Sequence, residues 1–102
     1  MHKNISISNF TPIIGTASET CLIARVGSLV IVSINGYKLP EDHITAANIL
    51  YRQLPRAMHR SINYLDPGYL LYVDPGSTYL LLNAPVNDQS TIYGSIAYLT
   101  SE

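Results

Sequence analysis

The tripeptide Asp-Pro-Gly occurs twice in close succession in this chain, at positions 66–68 and 74–76. Proline fixes φ near the value that the second residue of a β-turn needs, and glycine accepts the positive φ of the third residue in a type II turn. The segments that follow the turns, Tyr69–Val73 and Tyr79–Leu82, are short and rich in aromatic and branched residues. The pattern predicts two adjacent antiparallel strands, with positive φ at the glycine of each turn.

These strands lack the alternation of apolar and polar residues that is typical of a sheet with one face in water. In the second strand, Leu80 and Leu82 point to one face and Leu81 points to the other. The segment Leu29–Ile34 is also apolar on both faces. Such strands need cover on both faces, and a short chain has little with which to supply it. We therefore expect a small β-domain that associates with other subunits.

Further strands are predicted wherever short apolar segments lie between turn-forming residues. Alternation in residues 4–14 predicts a half-buried strand with Ile5, Ile7 and Phe10 directed inward. Asn35-Gly36 is a strong turn signal. The other predicted strands are residues 20–26, 29–34, 49–54 and 91–100, with a long loop at 40–47. Residues 1–102 are therefore expected to form one all-β domain, an antiparallel β-sandwich of jelly-roll type with little α-helix.

Small residues mark the last predicted strand, where Gly94, Ser95 and Ala97 occur within a few positions of one another. Small side chains in a strand allow another backbone to approach closely. We expect this strand to meet another backbone or a neighbouring subunit.

The composition argues against several classes of function. The formal charge is -1 and 13% of the residues are charged, against about 25% in ordinary globular proteins. We therefore expect no nucleic-acid partner, and no apolar run approaches the length of a membrane span, so we expect no membrane partner. Cys21 is the only cysteine, so no internal disulfide is expected. The histidines lack ligand-like spacing and no nucleophile lies beside a base, so we expect no metal, no cofactor and no enzymatic activity.

Several motifs of this chain, in their order along the sequence, resemble those of one protein family. The segment Arg25-Val-Gly-Ser-Leu-Val-Ile-Val-Ser-Ile resembles the R-V-G-N-x-V-x-V hairpin of the distal domains of tailed-phage fibre and baseplate proteins. A strand that ends at Leu54-Pro55, the segment Gly-Tyr-Leu-Leu-Tyr-Val-Asp-Pro-Gly-Ser and a closing strand at 92–100 follow in a similar order. Across residues 20–100 the chain resembles the C-terminal head, or receptor-binding domain, of tail proteins from phages of Gram-positive bacteria.

The resemblance implies a homotrimeric β-sandwich at the tail tip of a virion. It also implies contacts with other tail or baseplate proteins and recognition of a host cell-wall saccharide. Full receptor-binding proteins of this kind carry an N-terminal segment that docks on the tail. We therefore expect the chain to be either an excised head domain or a small accessory protein.

The first candidate for a saccharide site is the polar loop at 55–63 together with Tyr64. Arg56, His59 and Arg60 cluster there in a chain that is poor in charge. Their nitrogens can donate hydrogen bonds to sugar hydroxyls or to glycerol-phosphate, and the face of Tyr64 can stack on a pyranose ring. An ordinary solvated loop explains the same residues without a ligand.

Two other loops carry polar side chains suited to a saccharide. Asp42 and His43 form an acceptor and donor pair, although a loop cap explains them equally well. Asn87-Asp88-Gln89 offers amide and carboxylate groups, although turn formation alone explains its first two residues. Among the tyrosines, Tyr37 and Tyr51 lie near predicted loops and are further ligand candidates.

The sequence is compatible with three functions. The first is a phage tail-tip or baseplate receptor-binding domain that recognises a host saccharide. The second is a structural trimerisation module of a phage fibre, which binds no ligand. The third is a trimeric jelly roll of the tumour-necrosis-factor or complement type that binds a protein receptor. Apolar strands predict association in all three cases and do not distinguish them.

Overall fold

The computed structural model describes residues 5–13, 16–17, 21–39, 47–65, 68–84 and 91–102. These residues form β-strands and no helix, which confirms the all-β prediction. Because they contain no helix, they contain none able to cross a membrane. The strands are β1 (Ile5–Phe10), β2 (Thr16–Ala17), β3 (Cys21–Val26), β4 (Leu29–Lys38), β5 (Ala47–Tyr51), β6 (Ser61–Leu65), β7 (Tyr69–Val73), β8 (Leu80–Asn83) and β9 (Ile92–Leu99).

The strands form two antiparallel sheets with a shared core. In sheet A, β3 lies between β1 and β4, β2 pairs with the end of β4, and β9 also pairs with β4. In sheet B the order is β5-β8-β7-β6. Side chains from the inner faces of both sheets are fully buried, among them Val30 and Val32 of β4, Leu71 of β7, and Leu80 and Leu82 of β8. The described part of the chain is therefore sandwich-like, and its apolar core explains why one set of alternate residues in each central strand is aliphatic.

The sequence does not predict strand β6, because its first residues are partly polar and fall in the loop predicted at 55–63. The structure gives those polar side chains a role. Ser61 Oγ donates a 2.7 Å hydrogen bond to the carbonyl oxygen of Ala97, and Asn63 Nδ2 donates one of 2.5 Å to the carbonyl oxygen of Ser95. The amide of Met58 donates to the carbonyl oxygen of Leu99 at 2.9 Å. Side chains of β6 and the segment before it therefore cover the edge of β9 and join the two sheets along one side.

The close approach expected at the small residues of β9 is real, but it occurs within the chain. Strand β6 of the same molecule lies beside Gly94, Ser95 and Ala97. No neighbouring subunit is needed to explain the small side chains, so this reason for placing a subunit contact at β9 no longer holds.

The prediction that Ile5 and Ile7 point inward is wrong. The two side chains are 59% and 65% exposed, whereas Phe10 is buried. Strand alternation cannot place residues 5, 7 and 10 on one face, because the side-chain period is two. The register pairs Phe10 with the buried Cys21, so Ile5 and Ile7 lie on the outer face of sheet A.

Asn35-Gly36 does not form the predicted turn. Strand β4 continues through these residues to Lys38, and the pairing with β9 shifts between Asn35 and Tyr37. Gly36 has φ of 83° and is the extra residue of a β-bulge. A glycine with positive φ occurs in bulges as well as in turns. Here β9 pairs with β4 on both sides of Gly36, so the strand continues and the glycine forms a bulge.

Both Asp-Pro-Gly glycines have positive φ, as predicted. At the second turn, Gly76 has φ of 73° and the amide of Ser77 donates a 3.1 Å hydrogen bond to the carbonyl oxygen of Asp74, as in a type II turn. At the first turn, Gly68 has φ of 141°, and its own amide bonds the carbonyl oxygen of Leu65 at 3.0 Å. The hydrogen bond at this turn therefore comes from Gly68 itself, one residue earlier than a type II turn at 66–69 requires.

Two tyrosines lie deep in the core and differ in their hydrogen bonding. Tyr98 Oη donates a 2.8 Å hydrogen bond to the carbonyl oxygen of Pro55. Tyr37 Oη is buried and has no hydrogen-bond partner among the residues that the structure describes. Burial raises the pKa of both hydroxyls well above the ordinary value, with a smaller contribution from Cys21 at Tyr37 and from Glu102 at Tyr98. The proposal of Tyr37 as a ligand residue is therefore wrong, because its side chain is inaccessible.

Candidate functional site

The two arginines of the predicted site bind the second Asp-Pro-Gly turn. Arg60 contacts the Oδ1 atom of Asp74 through Nε at 3.0 Å and through Nη2 at 2.8 Å. Arg56 Nη1 donates a 2.6 Å hydrogen bond to the carbonyl oxygen of Gly76, and its Nε lies 3.7 Å from a carboxylate oxygen of Glu102. Both arginine side chains remain more than half exposed. Exposed pairs of this kind add little stability, but they orient the guanidinium groups.

Backbone contacts also fix the position of this turn. The amide of Gly76 bonds the carbonyl oxygen of Ala57 at 2.8 Å, and the amide of Ala57 bonds the carbonyl oxygen of Ser77 at 3.0 Å. The amide of Leu54 bonds the carbonyl oxygen of Thr78, also at 3.0 Å. Backbone hydrogen bonds therefore join the segment before β6 to residues 74–78 at the end of sheet B.

His59 belongs to the same exposed end of the sheet. Its Nδ1 atom lies 3.0 Å from the carbonyl oxygen of Arg60. A carbonyl oxygen only accepts, so Nδ1 donates in this contact. The other ring nitrogen, Nε2, is the one that can form a hydrogen bond with a ligand hydroxyl.

Tyr64 is 81% exposed, and it lies apart from the turn. It belongs to β6, opposite Leu70 of β7, on the outer face of sheet B. Three strand residues separate it from Arg60, and the four steps of extended chain span about 13 Å. The structure therefore divides the predicted loop into a polar end at Arg56, His59 and Arg60 and an aromatic end at Tyr64.

The residues that connect these two ends were not predicted as site residues. Ile62 is 41% exposed and pairs with the half-buried Tyr72. Leu70 pairs with Tyr64 on the same face. Tyr64 and Tyr72 are diagonal neighbours across two strands, a spacing of about 7–8 Å that long aromatic side chains bridge. We call the set Ile62, Tyr64, Leu70 and Tyr72 the tyrosine platform.

The sequence contained a signal for this platform. Residues 69–73 alternate between buried and half-buried in the structure, so Leu70 and Tyr72 must share a face. If β6 is treated as a strand and paired with β7 through the short connection at 66–68, Tyr64 and Tyr72 come together. The polar residues Ser61 and Asn63 make β6 look like a loop in the sequence.

The other candidate loops lie outside the described residues. This applies to Asp42 and His43 and to Asn87, Asp88 and Gln89. Of the tyrosines named as ligand candidates, Tyr51 is half-buried and its ring packs against Phe10 with centroids 5.0 Å apart. Within the described ranges, His, Cys, Asp and Glu side chains form no group of three or more that could hold a metal ion.

Comparisons with protein-family models, with curated proteins and with solved structures found no match for this chain.

Proposed function

We propose that this chain is a binding module rather than an enzyme: a jelly-roll-like β-sandwich that self-assembles as a homotrimer and recognises a saccharide of a host cell surface. In this proposal it acts at the tail tip or baseplate of a phage, beside other tail proteins. The motif order around Arg25–Ile34 and Gly68–Ser77 is the basis for the phage assignment.

The observation that carries the saccharide assignment is the exposure of Tyr64 on the tyrosine platform. An 81% exposed tyrosine on a rigid strand presents a flat apolar face with a polar tip. Sugar rings offer the complementary surface, apolar C–H groups on the ring face and hydroxyls at its rim. Arg60 and His59 lie beyond Ile62 along the same edge of sheet B and supply polar groups for the hydroxyls or phosphates of an extended chain.

The test of this proposal is adsorption to purified cell walls and to teichoic-acid and polysaccharide fractions, measured by calorimetry or on a glycan array. Tyr64→Ala is expected to weaken binding about tenfold or more, because it removes the stacking face. Tyr79→Ala is the matched control, since Tyr79 is exposed but lies outside the platform. Thermal melts of both variants verify folding. Equal binding by the Tyr64 and Tyr79 variants contradicts the platform as the site.

A second arm of the test separates the candidate loops. Changing Arg60 and Tyr64 together to Ala should reduce adsorption further, without dissociating the assembly. If that double variant adsorbs normally and changes at Asp42 and His43 abolish binding, the site belongs to the loop at 40–47 instead.

A structural module without a ligand is the second candidate, and one observation favours it. Arg56 and Arg60 direct their guanidinium groups at Gly76 and Asp74, which are groups of the chain itself. Ion pairs within the chain explain the cationic cluster without any saccharide. Absence of binding to every glycan fraction, with assembly intact, would favour this function.

A further inference from the structure

The outer face of sheet A carries two adjacent rows of apolar side chains. The first row crosses all four long strands through Ile5, Val26, Leu29 and Leu99, which are direct cross-strand neighbours. Val26 and Leu29 are each 38% exposed, Leu99 is 45% exposed, and Ile5 is more exposed still. Four large aliphatic side chains at the surface in one unbroken line are unusual, because exposed apolar residues in soluble proteins are normally scattered singly.

The second row is parallel to the first and alternates large with small side chains. It runs through Ile7, Ala24, Ile31 and Ala97. The alanine side chains are smaller than the isoleucines of the same row and than the side chains of the first row. Sheets that pack face to face interdigitate their side chains across about 10 Å, and an alternation of large and small residues suits that packing.

The two rows contain no charged side chain, and serine, leucine and asparagine fill the next row in the described part of the sheet. Natural sheets protect faces exposed to water with charged residues. A surface without charge offers no electrostatic complementarity to an acidic or basic partner, so recognition there depends on shape and apolar area.

The apolar area is close to what an association of copies requires. The exposed parts of the two rows amount to about 500 Å² per subunit, near the upper end for the largest patch on a typical monomer. Covering such a face on two copies that meet face to face buries about 1,000 Å² in total, the lower limit of a specific interface, before the polar rim is counted. A third copy, which the family resemblance implies, has to share the same face around a threefold axis.

The edge of β9 is the alternative surface for assembly, and the structure argues against it. Backbone carbonyls of Ser95, Ala97 and Leu99 along that edge already accept hydrogen bonds from Asn63, Ser61 and Met58. A subunit that approached this edge would find these carbonyl oxygens already hydrogen-bonded within the chain. The outer face of sheet A, in contrast, has apolar side chains that a neighbour can contact directly.

We propose that the outer face of sheet A is the surface through which this chain binds a second copy of itself. The proposal rests on the self-assembly that forms part of the proposed function, and it adds which face the copies use. A saccharide bound at the tyrosine platform lies on the outer face of the other sheet, so assembly leaves the ligand surface open.

The experiment compares the wild type with Leu29→Glu and Ile13→Glu by light scattering across micromolar concentrations. Leu29 lies in the centre of the first row, and Ile13 is a similarly exposed isoleucine outside sheet A. A buried carboxylate in the contact is expected to weaken association about 100-fold or more, so Leu29→Glu should have the mass of one chain. Ile13→Glu should keep the wild-type mass.

Folding of each variant is verified by circular dichroism and by a thermal melt. If Leu29→Glu does not fold, Ile7→Glu replaces it, because Ile7 lies in the edge strand and is more exposed. If the wild type and both variants all assemble, the choice of face is wrong, but self-assembly is still supported. Dissociation of both variants overturns it too, because the effect would not be specific to the face. A monomeric wild type removes self-assembly itself, while saccharide binding is decided separately by Tyr64→Ala.

Discussion

Leu65, the last residue of β6, packs against the bare backbone of Gly94 in β9. A Cβ atom placed on Gly94 would lie 3.2 Å from the Cγ atom of Leu65 and closer still to its two methyl carbons. Leu65 is buried, so its side chain has little space into which to move. The contact joins sheet B to sheet A at the side where β6 runs along β9, and it explains why the closing strand contains a glycine.

Replacing Gly94 with Ala should therefore lower the free energy of unfolding by about 1–3 kcal/mol, the usual cost of overpacking a tight contact. Urea denaturation measures the change. Combining Gly94→Ala with Leu65→Ala should cost less than the sum of the two single changes, because the second change removes the clash. Ser95→Ala is the control on the exposed face and should be nearly neutral. A fully additive double variant would contradict the contact.

Replacing Gly76 with Val should cost on the order of 1–2 kcal/mol, because a branched side chain resists the φ of 73° that the turn requires. No heavy atom lies within 4 Å of a Cβ placed there, so the cost comes from the backbone alone. Gly76→Asn should cost less, since asparagine tolerates positive φ. Thermal melts compare the two variants, and an unchanged melting temperature for Gly76→Val would show that the turn is not of type II.

Tyr37 and Tyr98, two of the three buried tyrosines, should respond differently to removal of the hydroxyl. Tyr98→Phe should cost about 1 kcal/mol, because the carbonyl of Pro55 loses its donor. Tyr37→Phe should be neutral or stabilising, because its hydroxyl has no partner in the described part of the chain and is costly to bury. Chemical denaturation of both variants measures the difference. A larger loss at Tyr37 than at Tyr98 would contradict this assignment.

The same tyrosines predict how stability depends on alkaline pH. Burial raises the pKa of both hydroxyls in the folded chain, whereas unfolded tyrosine titrates near pH 10. Above about pH 10 the folded state binds more protons than the unfolded state, so the free energy of unfolding falls by about 1.4 kcal/mol per pH unit per tyrosine. Below that pH the contribution is fully present. Denaturation at several pH values should show this slope, and Tyr98→Phe should reduce it by about 1.4 kcal/mol per pH unit; a flat profile to about pH 11 would contradict the burial of both groups.

Turn chemistry and strand patterns predicted much of the fold. The bounds of β7, Tyr69–Val73, follow from the two Asp-Pro-Gly turns on either side of it. Strand β6 could not be predicted in the same way. Ser61 and Asn63 look like loop residues until the edge of β9 is present to accept their hydrogen bonds. The direction of Ile5 and Ile7 likewise depends on the pairing of Phe10 with Cys21, which is a tertiary contact.

The candidate site shows the same limit. Arg56 and Arg60 are close in the sequence, and both contact one turn in the structure. The acceptors that orient them, Gly76 and Asp74, come from a segment distant in the sequence. Tyr64 is exposed in the structure, and Tyr72 is recognised as its neighbour only when β6 and β7 are paired. Pairing between strands is a property of the whole chain, so patterns within one segment do not reveal it.

Self-assembly is the central claim, and the mass of the wild-type chain in solution tests it most directly. Light scattering at micromolar concentration should give a mass near three times the 11.2 kDa of one chain. A mass near twice that of the chain would keep self-assembly and remove the expectation of three subunits. A mass near 11.2 kDa would contradict the account, because the apolar rows of sheet A would then be stable in water without a partner.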